Sequence, residues 1–154
     1  MSETPPAAAT CAHVMLDLDA TSPALVIEQL AGTFGAIPGV PAARALAAAV
    51  LEREAQASTY LGHSTALPHA RLTSLQRLAV AFARLRQPIL WTPEGDLVQF
   101  VFLGVVPAAQ PRHYLEFMRS LGRTLHDDDN VAILRSLPDA VAVRAWLSKH
   151  LALQ

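Results

Sequence analysis

The chain of 154 residues is 52% hydrophobic and 16% charged, with 12 Lys and Arg against 13 Asp and Glu; that length predicts one domain with one sizeable core. So apolar a composition excludes a disordered chain, and so balanced a charge excludes a nucleic-acid binder driven by electrostatics. A single cysteine, Cys11, excludes an internal disulfide and a cysteine-rich zinc site and fits a reducing cytoplasm.

Residues 1–13 (MSETPPAAATCAH) are small and proline-rich, with no period that would bury a face, and read as a mobile tail ahead of a single domain at 14–154. They carry no basic run of the signal-peptide kind, and no stretch of 18 apolar residues follows, so neither export nor direct membrane insertion is expected. Ser22-Pro23 reads as a cap and first helical residue, followed by Ile27, Leu30, Ala31 and Phe34 at helical spacing, with an end near Gly35. After the turn at Gly39, Pro41 opens a second helix with the stripe Leu46, Ala49 and Val50, running to about Gln56. Arg53 falls on the inward face of this helix, where packing would ask for leucine.

A short strand is expected before His69. From Leu78 to Ala83, bulky Leu78, Val80 and Phe82 alternate with Ala79, Ala81 and Ala83, the period of a strand whose small-residue face admits a helix closely. A further strand is expected through Ile89 to Trp91. Pro93-Glu94-Gly95-Asp96 is a turn, and Leu97 to Val106 reads as a central strand covered on both sides. Pro111 starts a helix with Tyr114, Met118, Leu121 and Leu125 on one face and His113 in its first turn. Asp127 to Asp129 start another helix, where the macrodipole favours negative charge. Ser136, Pro138 and Asp139 mark the start of a last helix with Val143, Trp146, Leu147 and His150 along one face. This order of elements predicts an α/β (α+β) fold, a mixed β-sheet of about five strands flanked by helices on both sides.

Missing residues exclude several chemistries. No phosphate-binding loop of the G-x-x-x-x-G-K-[ST] type, dinucleotide fingerprint, H-E-x-x-H or G-x-S-x-G is present, and Lys149 is the only lysine. Histidine remains. His13, His126 and His150 have ordinary structural explanations, whereas the run Ser58 to Arg71 (STYLGHSTALPHAR) leads small and hydroxyl residues into Pro68-His69. Pro68 stiffens the support of His69 and biases Leu67 toward extended backbone. A positioned imidazole, neutral near pH 7, is suited to accept a phosphoryl group and pass it on. Such a site needs positive charge and donors for the phosphoryl oxygens, for which Arg53 and His113 are the candidates. A rival reading takes His63, His69 and His113 as ligands of a catalytic zinc, but no paired carboxylate base accompanies them.

The ordered set Arg53-Glu54, Ser58-Thr59, Gly62, Ala66-Leu67-Pro68-His69-Ala70-Arg71, Pro88-Ile89, the apolar run Phe100 to Leu103 ending at Pro107, and His113 resembles the fructose/mannitol-type enzyme IIA domain. That family belongs to the bacterial phosphoenolpyruvate-dependent phosphotransferase system and includes the nitrogen-regulatory IIA proteins; the resemblance spans about residues 16–151. It implies a mixed sheet with helices on both sides. It also implies that His69 takes a phosphoryl group from the carrier protein HPr, or from its nitrogen-system relative, and donates it to a cysteine of a IIB domain. His113 matches the family's second histidine, which hydrogen-bonds the phosphoryl site, Arg53 matches the motif arginine, and Ser58 and Thr59 are expected to support the site. No metal or other cofactor is implied, since the carrier supplies the phosphoryl group. The alternative is a regulatory module in which phosphorylation of His69 alters the surface shown to a protein partner. One departure stands out: His63, Ser64 and Thr65 occupy a run that is usually glycine-rich and histidine-free in the family.

Overall fold

A computed structural model describes residues 9–154. Of the expected tail, residues 1–8 lie outside the described residues, but 9–13 form the first half of strand β1 (Ala9–Leu18). The tail reading is corrected there because β1 is held by its neighbours rather than by a periodic face of its own. It pairs in parallel with β5 (Leu78–Leu90) through Ala9 to Leu78 and Cys11 to Val80. On its other side the Cys11 N–H donates to the Gln154 carbonyl at 2.8 Å, and the Gln154 N–H to that of Ala9 at 3.2 Å.

Helix α1 (Pro23–Ala31) starts as expected, with Ser22 Oγ accepting from the Leu25 N–H, and a short 3₁₀ turn (Gly32–Phe34) carries the apolar stripe to its end. Helix α2 (Ala43–Gln56) opens two residues beyond Pro41, where the Ala42 carbonyl takes the Leu46 N–H at 2.9 Å. Gly39, at φ +89°, makes the intervening turn; a Cβ there would run into the Ser74 carbonyl oxygen.

Two short strands, β2 (Tyr60–Gly62) and β3 (Thr65–Ala66), form a hairpin, and β4 (His69–Leu72) follows. Strands β3 and β4 lie in succession, both parallel, along one edge of β6 (Leu97–Pro107). Between them Leu67-Pro68 interrupts the ladder: the Leu67 N–H turns to the Thr59 carbonyl, and the Pro68 carbonyl accepts from Gly104. Strand β5 runs antiparallel to β6. It is one strand up to Leu90, with an irregular register between Arg84 and Ile89, so the separate strand expected at Ile89 to Trp91 is its far end. The sheet order is β1-β5-β6-β3-β2, with β4 also on β6, making six strands of mixed direction among the described residues, with β6 in the middle.

Helices α3 (Arg112–His126), α4 (Asp128–Ser136) and α5 (Ala140–Leu151) follow. Asp127 and Asp139 cap α4 and α5, while Ser136, expected at the start of the last helix, closes α4 and donates to the Ile133 carbonyl. One core lies between α1–α2 and the sheet face of Ala79, Ala81, Ala83, Val101 and Leu103. The other lies between α3–α5 and the face of Leu78, Val80, Phe82, Phe100 and Phe102. The alternation read in the sequence thus sorts bulky and small side chains to opposite layers. Buried Arg84 crosses toward the second layer and donates to the Leu134 and Leu137 carbonyls at 3.1 and 2.7 Å, satisfying the end of α4.

Candidate functional site

His69 is the first residue of β4, just past the interruption at Pro68. Strand alternation places Arg71 on the same face as His69. Arg53 comes from the last turn of α2, Ser58 and Thr59 from the loop that follows it, and Tyr114 from the first turn of α3. These residues line a cleft of about 380 Å³, with Pro111, Leu115 and Met118 on its α3 side. A second depression of about 410 Å³, lined by Ala49, Glu52 and Gln56, shares Arg53, His69 and Arg71 with the first. The structure therefore brings His69, Arg53, Ser58 and Thr59 together.

The geometry of the imidazole is specific. His69 is 9% exposed, and its Nδ1 lies 3.0 Å from the Leu67 carbonyl oxygen and 3.0 Å from the Tyr114 hydroxyl. The Leu67 carbonyl meets the ring across Pro68, whose own carbonyl accepts from the Gly104 N–H of β6. A carbonyl oxygen only accepts, so Nδ1 carries the hydrogen and Nε2 keeps the free electron pair. Burial, set against the Leu67 hydrogen bond and reinforced by the positive charge of Arg53, lowers the His69 pKa from 6.5, favouring the neutral ring. Burial likewise raises the pKa of the Tyr114 hydroxyl, which stays protonated.

The loop after α2 is tied down by one carboxylate. Glu54 accepts from the Thr59 N–H at 3.1 Å and the Thr59 hydroxyl at 2.8 Å, and from the Trp91 indole N–H at 2.7 Å. Arg53 donates to the Ala57 carbonyl at 3.0 Å across the helix end, which explains how an arginine is accommodated on that face. Ser58 Oγ accepts from the Tyr60 N–H, leaving its hydroxyl hydrogen to donate.

His113 lies elsewhere. It lines a separate depression of about 360 Å³ with Ala109, Gln110, Pro111 and Arg112, while its neighbour Tyr114 meets His69. His63 is exposed at the tip of the β2–β3 hairpin at φ 53°, with its ring 6.0 Å from that of His126 and perpendicular to it. Among the described residues, no three His, Cys, Asp or Glu side chains are grouped to hold a metal ion. Three residues of this neighbourhood have no site role assigned from the sequence, although Glu54 and Arg71 belong to the motif set quoted there. Arg71 was signalled by its two-residue offset from His69, and Glu54 by its place beside Arg53. Tyr114 was visible only as a member of an apolar stripe.

Comparison with known proteins gives this arrangement its context. Residues 9–150 match the family described as phosphoenolpyruvate-dependent sugar phosphotransferase system, EIIA 2. A nitrogen regulatory protein of Bradyrhizobium diazoefficiens is 33% identical over 106 residues, which cover 68% of this chain and 69% of that protein. The crystal structure of nitrogen regulatory protein IIA-Ntr from Neisseria meningitidis superposes with a TM-score of 0.81 at 25% identity, covering 91% of this chain and 96% of that one. The mannitol enzyme IIA of Escherichia coli, solved in complex with phosphorylated enzyme IIB, shares the fold with a TM-score of 0.73 at 19% identity, covering 88% of this chain and 94% of the other.

Proposed function

The chain belongs to the EIIA 2 family of the phosphoenolpyruvate-dependent sugar phosphotransferase system, and from that premise we propose that His69 is its phosphoryl-carrying residue, loaded by phosphorylated HPr or an HPr-like nitrogen-system protein and unloaded onto a IIB cysteine. The observation that carries this reading is the Nδ1–H pairing with the Leu67 carbonyl inside the arginine-flanked cleft. It leaves Nε2 with the electron pair that attack on phosphorus requires. As the Nε2–P bond forms, the N–P bond of the donor's phosphohistidine breaks and its electron pair returns to the donor imidazole. Passing the group on reverses these roles, with a cysteine thiolate attacking and the pair returning to Nε2. No cofactor enters either step.

Arg53 and Arg71 set positive charge beside the ring, where the phosphoryl oxygens would gather. Ser58 would add a hydroxyl donor; Thr59 serves through Glu54, which takes both its N–H and its hydroxyl hydrogen. The partly open apolar rim of Leu61, Leu115 and Met118 suits docking of a carrier that must exclude water while the group moves. Among the described residues no helix is long and apolar enough to cross a membrane, and the proposed setting is the cytoplasm.

A second reading is favoured by the two nitrogen regulatory relatives: phosphorylation of His69 would change the charge of this cleft and thereby its affinity for a regulated protein, without sugar transport. Both readings share one first experiment. The protein is incubated with phosphoenolpyruvate, enzyme I and HPr or its nitrogen-system counterpart, then weighed intact under conditions that preserve phosphohistidine. Wild type gains one acid-labile phosphoryl group and His69→Ala gains none. Equal labelling of His69→Ala, or no gain by wild type with either donor, would reject the proposal. The two readings then separate on whether a IIB domain discharges the phosphoprotein.

A further inference from the structure

We propose that Tyr114 is the positioning residue of His69: its phenol oxygen shares the Nδ1 hydrogen with the Leu67 carbonyl, taking the place beside the phosphoryl-carrying ring that the family resemblance gives to His113. This rests on the reading of His69 as the carrier, and it concerns which neighbour holds the ring in its working state.

Two oxygens face one nitrogen. Both the Leu67 carbonyl and the Tyr114 hydroxyl lie 3.0 Å from Nδ1. If the phenol donated to Nδ1, that nitrogen would carry a lone pair aimed at the carbonyl oxygen, an acceptor facing an acceptor. The arrangement that sets no acceptor against an acceptor is a shared Nδ1–H hydrogen accepted by both oxygens, with the phenol hydrogen directed into the cleft that Tyr114 lines. The rings also pack directly, with centroids 4.7 Å apart and planes tilted by 39°. Tyr114 is 7% exposed, so its oxygen has little water to choose instead.

Helix register decides between Tyr114 and His113. Successive residues of an α-helix point about 100° apart, so only one of the two can face β4. The buried face of α3 is Tyr114, Phe117, Leu121 and Leu125. Burying that stripe against the sheet delivers the phenol to His69 and directs His113 to the depression beside Arg112.

The consequence concerns the loaded state. With phosphorus on Nε2 and hydrogen on Nδ1 the ring is a cation, and two oxygen acceptors at Nδ1 stabilise that cation. The protonated ring is the better leaving group when the Nε2–P bond breaks, because the departing imidazole is then neutral. Tyr114 thereby favours both formation and discharge of the phosphoprotein, without its own proton moving.

Tyr114→Phe keeps the ring and removes only the oxygen. The comparison of wild type, Tyr114→Phe and His113→Ala needs two measurements on the full chain. Long-range ¹H–¹⁵N spectra of the unphosphorylated protein report which ring nitrogen of His69 holds the hydrogen and where the ring titrates. Single-turnover transfer from phosphorylated HPr reports the rate. For Tyr114→Phe the His69 titration moves to lower pH and transfer slows by about tenfold, the effect of one hydrogen bond to a charged group. Unchanged His69 spectra and rate in Tyr114→Phe would overturn the assignment, as would a loss in His113→Ala with none in Tyr114→Phe. If wild type accepts no phosphoryl group, the carrier reading fails, while the spectra still decide whether Tyr114 holds the Nδ1 hydrogen.

Discussion

At His69, burial and hydrogen bonding act on the same ring in opposite senses, and burial wins. The sign of the resulting pH dependence follows from which state binds the proton. Because the folded-state pKa lies below the ordinary 6.5, the unfolded chain takes up a proton that the folded protein refuses between the two values. The contribution of His69 to stability is therefore full above 6.5 and is lost as the pH falls through the folded-state pKa. Denaturant unfolding at about pH 7.5 and about pH 5.5 should show a smaller acid-side loss for His69→Asn than for wild type; equal losses would mean that the buried ring is not refusing its proton. Among single residues, His69 and Arg53 were legible in the sequence because each breaks the pattern around it: a histidine behind a proline, an arginine on an apolar helix face. Tyr114 fits its apolar stripe, so its pattern gives no hint that its hydroxyl has a partner 45 positions away.

Individual elements meet at the site through a few polar anchors. Glu54 joins the end of α2, the Ser58–Thr59 loop and Trp91, the residue just past the end of β5. Glu54→Gln keeps the volume, and its N–H₂ can donate to the Thr59 hydroxyl in place of the bond Glu54 accepts, but three hydrogen bonds to a charged carboxylate become neutral ones. We expect a loss of about 1–3 kcal/mol in stability, read by chemical denaturation, together with slower phosphoryl transfer because the loop that lines the cleft is released. A variant as stable as wild type would show that packing alone holds the loop. Helix identities were legible from caps and stripes: Ser22, Asp127 and Asp139 all cap as their chemistry dictates. Strands were harder to read. The first half of β1 is small and polar, and it is a strand because β5 and the last residues of the described chain supply partners on both of its edges. The split of β3 from β4 also arises from pairing, since each segment is too short to show a period, and β6 provides the shared edge.

Across the whole molecule, the sheet separates two cores, and the last residues close the second beside β1. Leu153 is 1% exposed and bridges Ala9. Leu153→Ala should cost about 2–5 kcal/mol in thermal or denaturant unfolding; a negligible change would show that the Leu153 side chain adds little to the second core. The sequence by itself determined the class of fold, the two-faced character of β5 and the apolar centre at β6, and it singled out the histidine proposed as the phosphoryl carrier. Those properties reside in local composition and in periods of two and 3.6 residues. Tertiary structure alone decided that six strands form the sheet, that residues 9–13 belong to it, and that Tyr114 rather than His113 faces His69. Each of these depends on which surface an element buries and on which distant partner satisfies its hydrogen bonds, and neither is encoded within any one segment.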